Sequence, residues 1–289
     1  MSATSFSPGE APPRLDTPSA GDAPINRRRW WLHLILVSAY LLLIGLMGRE
    51  HHEATTRAPA LSHTAGGLLV VCGFELLIFA AVLGLALMAS RASTDELLWR
   101  WRQGFWPVPL GIGYSIAIRF AVFMITMVAV VALMVTHVVT AQSLQRFMAA
   151  QGPSLEAIVD ISAMRHDPLY FWLTLTVVSF IVAGLREELW RSAFLAALRA
   201  LWPQRFGSRA GQVAAVAIAA VLFGFGHLRL GLVNVLVAGL LGFGLGLIMV
   251  FHRSIWPAVI AHGMFDATSL ALLPWVAEKL PEFQRTLGH

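Results

Sequence analysis

Three short stretches of this sequence place ionisable side chains within or beside apolar segments. They read AGLREELWRSAF, FGFGHLRLG and WPAVIAHGMFDA. A carboxylate and an imidazole that act together can take a proton from water, and nearby donors can stabilise the oxyanion that forms when water attacks an amide carbonyl. The pattern therefore suggests peptide hydrolysis. The candidate catalytic side chains are Glu187, Glu188, His227, His262 and Asp266.

The spacing within the first stretch predicts an ion pair on one face of a helix. Glu187 stands four residues before Arg191, and Glu188 stands three residues before it. Either carboxylate can therefore meet the guanidinium. Taken alone, this spacing is more typical of a pair that ends a membrane span on its cytoplasmic side.

The two histidine stretches are also open to a structural interpretation when each is taken alone. His227 follows a glycine-rich segment, where a histidine often ends a helix and bonds to a carbonyl. His262 and Asp266 are four residues apart, so they share one helical face inside an apolar span. A simple hydrogen bond between these two side chains would also explain that spacing.

Composition identifies the surroundings as a membrane. Apolar residues make up 57% of the chain, charged residues make up 13%, and the mean hydropathy is +0.69. In soluble domains, apolar residues make up roughly 45–50% and charged residues roughly 25%. Ionisable groups at bilayer depth cost a few kcal/mol each and usually find partners. Polar residues on three separate helices are therefore expected to converge in one site.

Apolar runs predict an all-α, polytopic transmembrane bundle of about seven spans, with six to eight possible. The chain divides into a disordered cytoplasmic tail (1–29), N-terminal transmembrane helices (30–165), a catalytic helical core (166–276) and a C-terminal tail (277–289). The spans are expected at about 30–48, 67–90, 108–136, 168–185 with helix continuing to about 200, 211–227, 231–251 and 255–274.

Charge distribution predicts the orientation. Arginines cluster in alternate connections between spans, and the loop at 49–66 has a net charge near zero. By the positive-inside rule the N-terminus is expected in the cytoplasm. The protein itself is expected in the cell (plasma or inner) membrane. The net charge of +5 is thus assigned to loops that face anionic lipid, and nucleic acid is excluded as a partner. Cys72, the single cysteine, is assigned to packing.

Two further ionisable residues stand alone in their spans. Glu75 lies in the second predicted span, and Arg119 lies in the third. A lone charge at bilayer depth needs a partner on another helix. An interhelical ion pair is therefore predicted for each of these side chains.

The three stretches resemble the signature of the CPBP (Abi) family, the intramembrane glutamic proteases that include the type II CAAX prenyl endopeptidases. The resemblance covers about residues 168–275. The family pattern has two glutamates and an arginine on one helix, then Phe-x-x-x-His, then His-x-x-x-Asn or Asp. The second and third motifs match in full. In EELWR, only two residues rather than three separate the second glutamate from the arginine.

The resemblance implies an intramembrane endopeptidase with a glutamate-activated water. Alignment on Arg191 puts Arg186 where the family has its first, water-activating glutamate. Glu187 is the preferred base because it can pair with Arg191 at i,i+4, and Glu188 is the second choice. His227 is expected to share the proton or to position the water, and His262 is expected to donate to the oxyanion. Asp266 is expected to orient the His262 ring. Arg191 and Phe223 are expected to support these residues.

No cofactor is expected, and the implied substrate is a peptide or a membrane-anchored protein within the lipid bilayer. Two histidines and a glutamate can also hold zinc and lower the pKa of bound water, so zinc stays a minor alternative. No HExxH motif occurs in the sequence. A second hypothesis is a non-proteolytic membrane scaffold of the same fold. A cavity shared by the motif residues would favour the protease.

Overall fold

The computed structural model describes residues 26–50, 62–101, 104–151 and 159–287, and the regular structure in these ranges is entirely helical. Most of the predicted N-terminal tail and most of the predicted outer loop lie outside these residues. The α-helices are α1 (Arg27–Glu50), α2 (Ala65–Ser90), α3 (Pro107–Val135), α4 (Ala141–Gln151), α5 (Ile161–His166), α6 (Pro168–Leu173), α7 (Arg186–Leu201), α8 (Pro203–Phe206), α9 (Arg209–Gly226), α10 (Leu232–His252) and α11 (Trp256–Leu287).

The predicted all-α membrane bundle is confirmed. Within the described residues, six helical segments are long and apolar enough to cross a membrane. One of them, Pro168–Leu201, is continuous and consists of α6, a π-helical segment (Thr174–Leu185) and α7. The 24-residue helix α1 packs beside α2 and α7, and it occupies the place of the first predicted span. The protein is a multi-pass membrane protein.

The outer surface of the bundle is apolar, as contact with lipid requires. Large side chains on α2 and α3 point away from the protein; Val70 is 72% exposed, Leu77 67% and Phe120 65%. In water such a continuous apolar surface would mark an interaction site. In a bilayer it faces hydrocarbon, so the polar residues are gathered between the helices.

Glycines allow the inner helices to approach closely. A Cβ atom on Gly224 of α9 would lie 2.7 Å from the carbonyl oxygen of Val235 in α10. One on Gly184 of the π-helical segment would lie 2.9 Å from the carbonyl oxygen of Val259 in α11. Small residues at such positions are typical of helix packing in membranes. The first contact joins the helix of the second motif to α10, and the second joins the segment that leads into the first motif to the helix of the third motif.

One end of the bundle gathers the basic connections. Arg27 at the start of α1 donates a hydrogen bond to the carbonyl of Leu201 at the end of α7 (3.3 Å). Ser254, between α10 and α11, donates to the carbonyl of Arg100 in the α2–α3 connection (3.2 Å). The segments that the charge distribution assigns to one side therefore lie together.

At the opposite end, a polar contact fixes the start of α5. Asp160 accepts hydrogen bonds from the backbone N–H of Ala163 (2.9 Å) and from the His63 ring (2.5 Å). The Ala163 N–H and then the His63 ring hold the pKa of the Asp160 carboxyl below its usual range. At this end α11 extends to Leu287, beyond the predicted end of its span at residue 274.

Candidate active site

The first motif follows directly on an irregular stretch of helix. From Thr174 to Leu185 the backbone is π-helical, and the Ser179 hydroxyl donates to the carbonyl of Thr174, five residues earlier (3.0 Å). A π-turn closes hydrogen bonds over one more residue than an α-turn, and it is often found at functional sites. The segment therefore changes the direction in which the side chains after Leu185 point, compared with an uninterrupted α-helix.

Glu188, rather than Glu187, pairs with Arg191. The Glu188 carboxylate contacts the Arg191 guanidinium, and both side chains are fully buried. Of the two pairings with Arg191 that the spacing allows, the structure therefore has that of Glu188, and the i,i+4 pairing that favoured Glu187 as the base is not formed. The i,i+3 spacing places Glu188 toward the bundle interior together with Arg191, and the residue before it is turned by about 100° around the helix.

Glu187 pairs instead with its neighbour Arg186. Arg186 donates from Nη2 to Glu187 Oε1 (3.1 Å) and from Nη1 to Glu75 Oε2 (2.8 Å). The interhelical ion pair predicted for Glu75 is thus present. Arg186 has the position where the resemblance expects a glutamate, and here it holds two carboxylates from two helices. This arrangement fixes the direction of the Glu187 side chain.

Arg119 forms no ion pair among the described residues, so that prediction is wrong for this side chain. It donates hydrogen bonds to the carbonyl of Phe265 (2.8 Å) and to the hydroxyls of Thr268 (2.7 Å) and Ser269 (3.3 Å). Its guanidinium carbon lies 4.5 Å from the centre of the Phe265 ring. Polar groups on α11 therefore satisfy this charge.

His262 lies among three carboxylates. Its Nδ1 donates a hydrogen bond to Glu188 Oε1 (3.1 Å), and only 2% of the residue is exposed. Its Nε2 lies 3.8 Å from Glu187 Oε2 and 3.7 Å from Asp266 Oδ2, too far for direct hydrogen bonds. Glu188, on another helix, is thus the group that orients this ring by a direct bond.

His227 ends α9, and its ring is oriented by the backbone. Nδ1 donates to the carbonyl of Phe223, one turn earlier (2.9 Å). The predicted topology places His227 near the outer end of its span and Glu187 in the middle or cytoplasmic half of another span. The two side chains can therefore lie at the same depth only if the helix of His227 is tilted, short or re-entrant. At 18 residues α9 is the shortest of the six candidate spans.

Glu187 and His227 line the same cavity. Its volume is about 140 Å³, and its other walls include Arg186, Trp190 and Phe223. Two residues of α1, Tyr40 and Leu41, complete it. Glu188, His262 and Asp266 do not line this cavity; the two carboxylates of this cluster lie around the His262 ring instead.

Phe223 joins the cavity to the buried cluster. Its ring centre lies 4.7 Å from that of His227 and 6.2 Å from that of His262. The Arg191 guanidinium carbon lies 4.7 Å from the same ring centre. An arginine above an aromatic face makes a favourable cation–π contact. All seven residues predicted for the site therefore lie in one region of the bundle.

Comparison with known protein families agrees with this arrangement. Residues 168–268, about a third of the chain, match the family described as type II CAAX prenyl endopeptidase Rce1-like. Over this segment the chain is similar to the CPBP-type membrane proteases. No curated protein and no solved structure matches the chain significantly. The matched segment contains all three motifs of the protease.

The site also includes residues that the motifs do not contain. Tyr40 lies on α1 and Glu75 on α2, outside the matched segment. A lone carboxylate in a span indicated a partner for Glu75 but not which one. A tyrosine in an apolar helix gives no comparable signal, so Tyr40 could be assigned only from the structure.

The arrangement gives no ready metal centre. Across residues 26–50, 62–101, 104–151 and 159–287, no three His, Cys, Asp or Glu side chains are grouped in a way that could hold a metal ion. His262 has carboxylates near both ring nitrogens, and His227 Nδ1 bonds to a backbone carbonyl. A metal-free reaction stays a prediction.

Proposed function

We propose that this protein is an intramembrane CAAX-type endopeptidase in which Glu187 and His227 activate the attacking water. The observation that carries the proposal is the common cavity that these two side chains line. Its volume of about 140 Å³ compares with about 10–15 Å³ needed for a single water molecule. The cavity has room for a water molecule and the peptide group that it attacks.

The tautomer of His227 suits this role. A carbonyl oxygen can only accept a hydrogen bond, so the bond to Phe223 places the ring proton on Nδ1. In the neutral ring Nε2 is then an acceptor. A water molecule in the cavity can donate one hydrogen bond to Nε2 and another to the Glu187 carboxylate. Its oxygen lone pair is left free to attack.

The position of Glu187 is equally restrained. Arg186 binds one of its oxygens, and Glu75 binds the other side of the same guanidinium. A catalytic carboxylate works best when neighbouring groups hold its rotamer. We assign Glu75 and Arg186 this positioning role for Glu187.

In the proposed reaction, the water oxygen attacks the carbonyl carbon of the scissile amide and its proton passes to Glu187. The carbonyl π electrons move to the oxygen, which becomes the oxyanion of a tetrahedral intermediate. The intermediate collapses, the C–N bond breaks, and the leaving nitrogen takes the proton from Glu187. One peptide bond and one water molecule become a carboxylic acid and an amine.

The buried cluster has a supporting part in this proposal. Glu188 bonds both to Arg191 on its own helix and to His262 on α11. Through it, the helix with the proposed base is fixed to the helix with the third motif. His262 turns its Nε2 toward Glu187 and Asp266 rather than into the cavity, so we assign it to positioning Glu187. This revises the oxyanion role expected for His262.

The proposed substrate is a membrane-anchored protein or peptide with a prenylated C-terminal Cys-a-a-X sequence. The family description supports this class of substrate. Because of the charge distribution, we also propose that the N-terminus lies in the cytoplasm. The proposed location of the protein is the plasma or inner membrane.

The test is cleavage of a fluorogenic, farnesylated peptide that ends in Cys-a-a-X by purified protein in lipid vesicles. Glu187→Gln keeps the size of the side chain and removes its basicity. Loss of a general base typically lowers the rate by about 10²–10⁴-fold, and that is the expected decrease in kcat. Glu278→Gln is the matched control because Glu278 is exposed on α11 and pairs only loosely with Arg165 (3.7 Å).

Three outcomes distinguish the hypotheses. Cleavage by wild type and by Glu278→Gln, but not by Glu187→Gln, supports the protease mechanism. Equal cleavage by all three proteins would eliminate Glu187 as the base. Failure of the wild type to cut the farnesylated peptide would overturn the CAAX substrate and favour the scaffold.

A further inference from the structure

Resting on the proposed function, we propose that the hydroxyl of Tyr40, on α1, is a catalytic group that donates a hydrogen bond to the oxyanion of the tetrahedral intermediate. Tyr40 lines the cavity together with Glu187 and His227. It lies outside the segment that matches the family. The inference therefore extends the site to a helix that the three motifs do not include.

Contacts between α1 and α7 place Tyr40 opposite Glu187. The two helices run antiparallel, and successive contacts join Arg27 to Leu201, His33 to Ala193, and Val37 to Trp190. The last is a buried hydrogen bond from the Trp190 indole to the Val37 carbonyl (3.0 Å). Tyr40 is one turn beyond Val37, and Glu187 is one turn before Trp190. The same register therefore brings these two residues to the same level.

The Tyr40 hydroxyl is buried, and its proton has no acceptor among the described residues; the nearby Arg186 guanidinium can only donate to it. Only 5% of the residue is exposed, and no described hydrogen bond satisfies the hydroxyl. Buried tyrosine hydroxyls usually have a hydrogen-bond partner because an unsatisfied polar group costs free energy. The ring itself packs against Phe79, with 5.2 Å between the ring centres. The side chain is thus held in place with its donor unused.

The other donors around the cavity, apart from the Arg186 Nε, are engaged. The Trp190 indole bonds to a backbone carbonyl, and so does Nδ1 of His227. Arg186 binds Glu75 and Glu187 with its two terminal nitrogens. Its Nε has no hydrogen bond within the described residues, but the two carboxylates hold the guanidinium in place. Tyr40 is therefore the cavity donor that is best able to turn toward a substrate carbonyl.

The proposed reaction needs such a donor. Glu187 and the His227 Nε2 both act as acceptors for the water, and neither can stabilise negative charge on the substrate oxygen. In the step proposed here, the C=O π electrons move to oxygen as the water attacks, and the Tyr40 O–H donates to this oxyanion without losing its proton. The hydrogen bond becomes stronger as the charge develops, which lowers the transition-state energy.

The test compares Tyr40→Phe with wild type on the farnesylated Cys-a-a-X peptide. The substitution removes only a hydroxyl and keeps the ring against Phe79. Removal of one oxyanion donor lowers kcat by about 10²–10³-fold. We expect that decrease with KM nearly unchanged, since the contact forms only in the transition state. Thermal unfolding should show an intact protein.

Tyr170→Phe is the matched control. Its hydroxyl is also buried, but it accepts a hydrogen bond from the backbone of Asp160 outside the cavity (3.3 Å). This variant should cleave at the wild-type rate. A second measurement is the binding of a peptide phosphinate, which imitates the tetrahedral intermediate. Tyr40→Phe should bind the phosphinate about 10²–10³-fold more weakly, in line with the loss of rate.

The outcomes separate this inference from the proposed function. If wild type and Tyr40→Phe cleave equally and bind the phosphinate equally, while Glu187→Gln is inactive, Tyr40 is not the donor and the protease mechanism stands. A wild type that does not cleave overturns the mechanism and this inference together. Loss of kcat and of phosphinate affinity in a folded Tyr40→Phe protein supports both.

Discussion

Substitution of the two adjacent glutamates should reduce the stability of the fold to very different extents. Glu188 and Arg191 are both fully buried, and Glu188 also accepts a hydrogen bond from His262. In Glu188→Ala the Arg191 charge stays in the interior without its carboxylate. Breaking a buried ion pair from one side costs about 3–5 kcal/mol. Total stabilities are about 5–15 kcal/mol, so a large share of the stability is lost.

Glu187→Ala should have a much smaller effect on stability. Its side chain is 18% exposed at the cavity, and Arg186 keeps a second carboxylate in Glu75. The loss should resemble that of a partly exposed pair, about 0.2–1 kcal/mol. A difference of some 3 kcal/mol between the two variants corresponds to roughly 6–12 °C in Tm for a chain of this size.

The assay is thermal unfolding in detergent, followed by tryptophan fluorescence, on wild type and both variants. Glu188→Gln/Arg191→Met serves as a further variant because it removes both charges and keeps similar volumes. It should recover much of the stability lost in Glu188→Ala. Equal Tm values for Glu187→Ala and Glu188→Ala would refute the assignment of Glu188 to structure and Glu187 to the cavity.

Two further predictions concern helix packing and the end of the bundle remote from the basic connections. Gly224→Ala puts a methyl group against the Val235 carbonyl and should lower the free energy of unfolding by about 1–3 kcal/mol, as measured by thermal unfolding. Gly73→Ala is the control, because Gly73 has open space around it, and it should leave the free energy of unfolding unchanged. The lowered pKa of Asp160 means that its contacts stabilise the fold above the unfolded value of about 3.9 and are lost as pH falls through the lower folded value. Between pH 5 and pH 2, the Tm of Asp160→Asn should therefore fall less than that of wild type. An equal fall would contradict the contribution assigned to the Asp160 carboxylate.

The sequence predicted the bundle well because the apolar runs set both the number and the approximate ends of the spans. The continuous helix from Pro168 to Leu201 and the end of α9 before His227 were expected. The helices are long and periodic, and the bilayer fixes their minimum length. The seven predicted site residues also lie together, because the six polar ones are not easily placed in lipid.

The pairing of charges could not be predicted from spacing. Both Glu187 and Glu188 have a favourable separation from Arg191, so spacing left the choice open. The choice depends on the direction of each side chain, which follows the π-helical segment before Arg186. No simple sequence pattern predicts a π-turn. Contacts between distant helices, such as Glu75 with Arg186, likewise depend on tertiary packing.

Helix α1 gives the cavity a wall that lies far outside the segment common to the family. A fragment limited to residues 168–268 would keep every motif, yet one side of the cavity would open to hydrocarbon. Transplanting those residues into another bundle would therefore transfer the acids and imidazoles without the wall that encloses them here. Evolution can alter this remote wall, and with it the shape of the cavity, while the motifs remain unchanged.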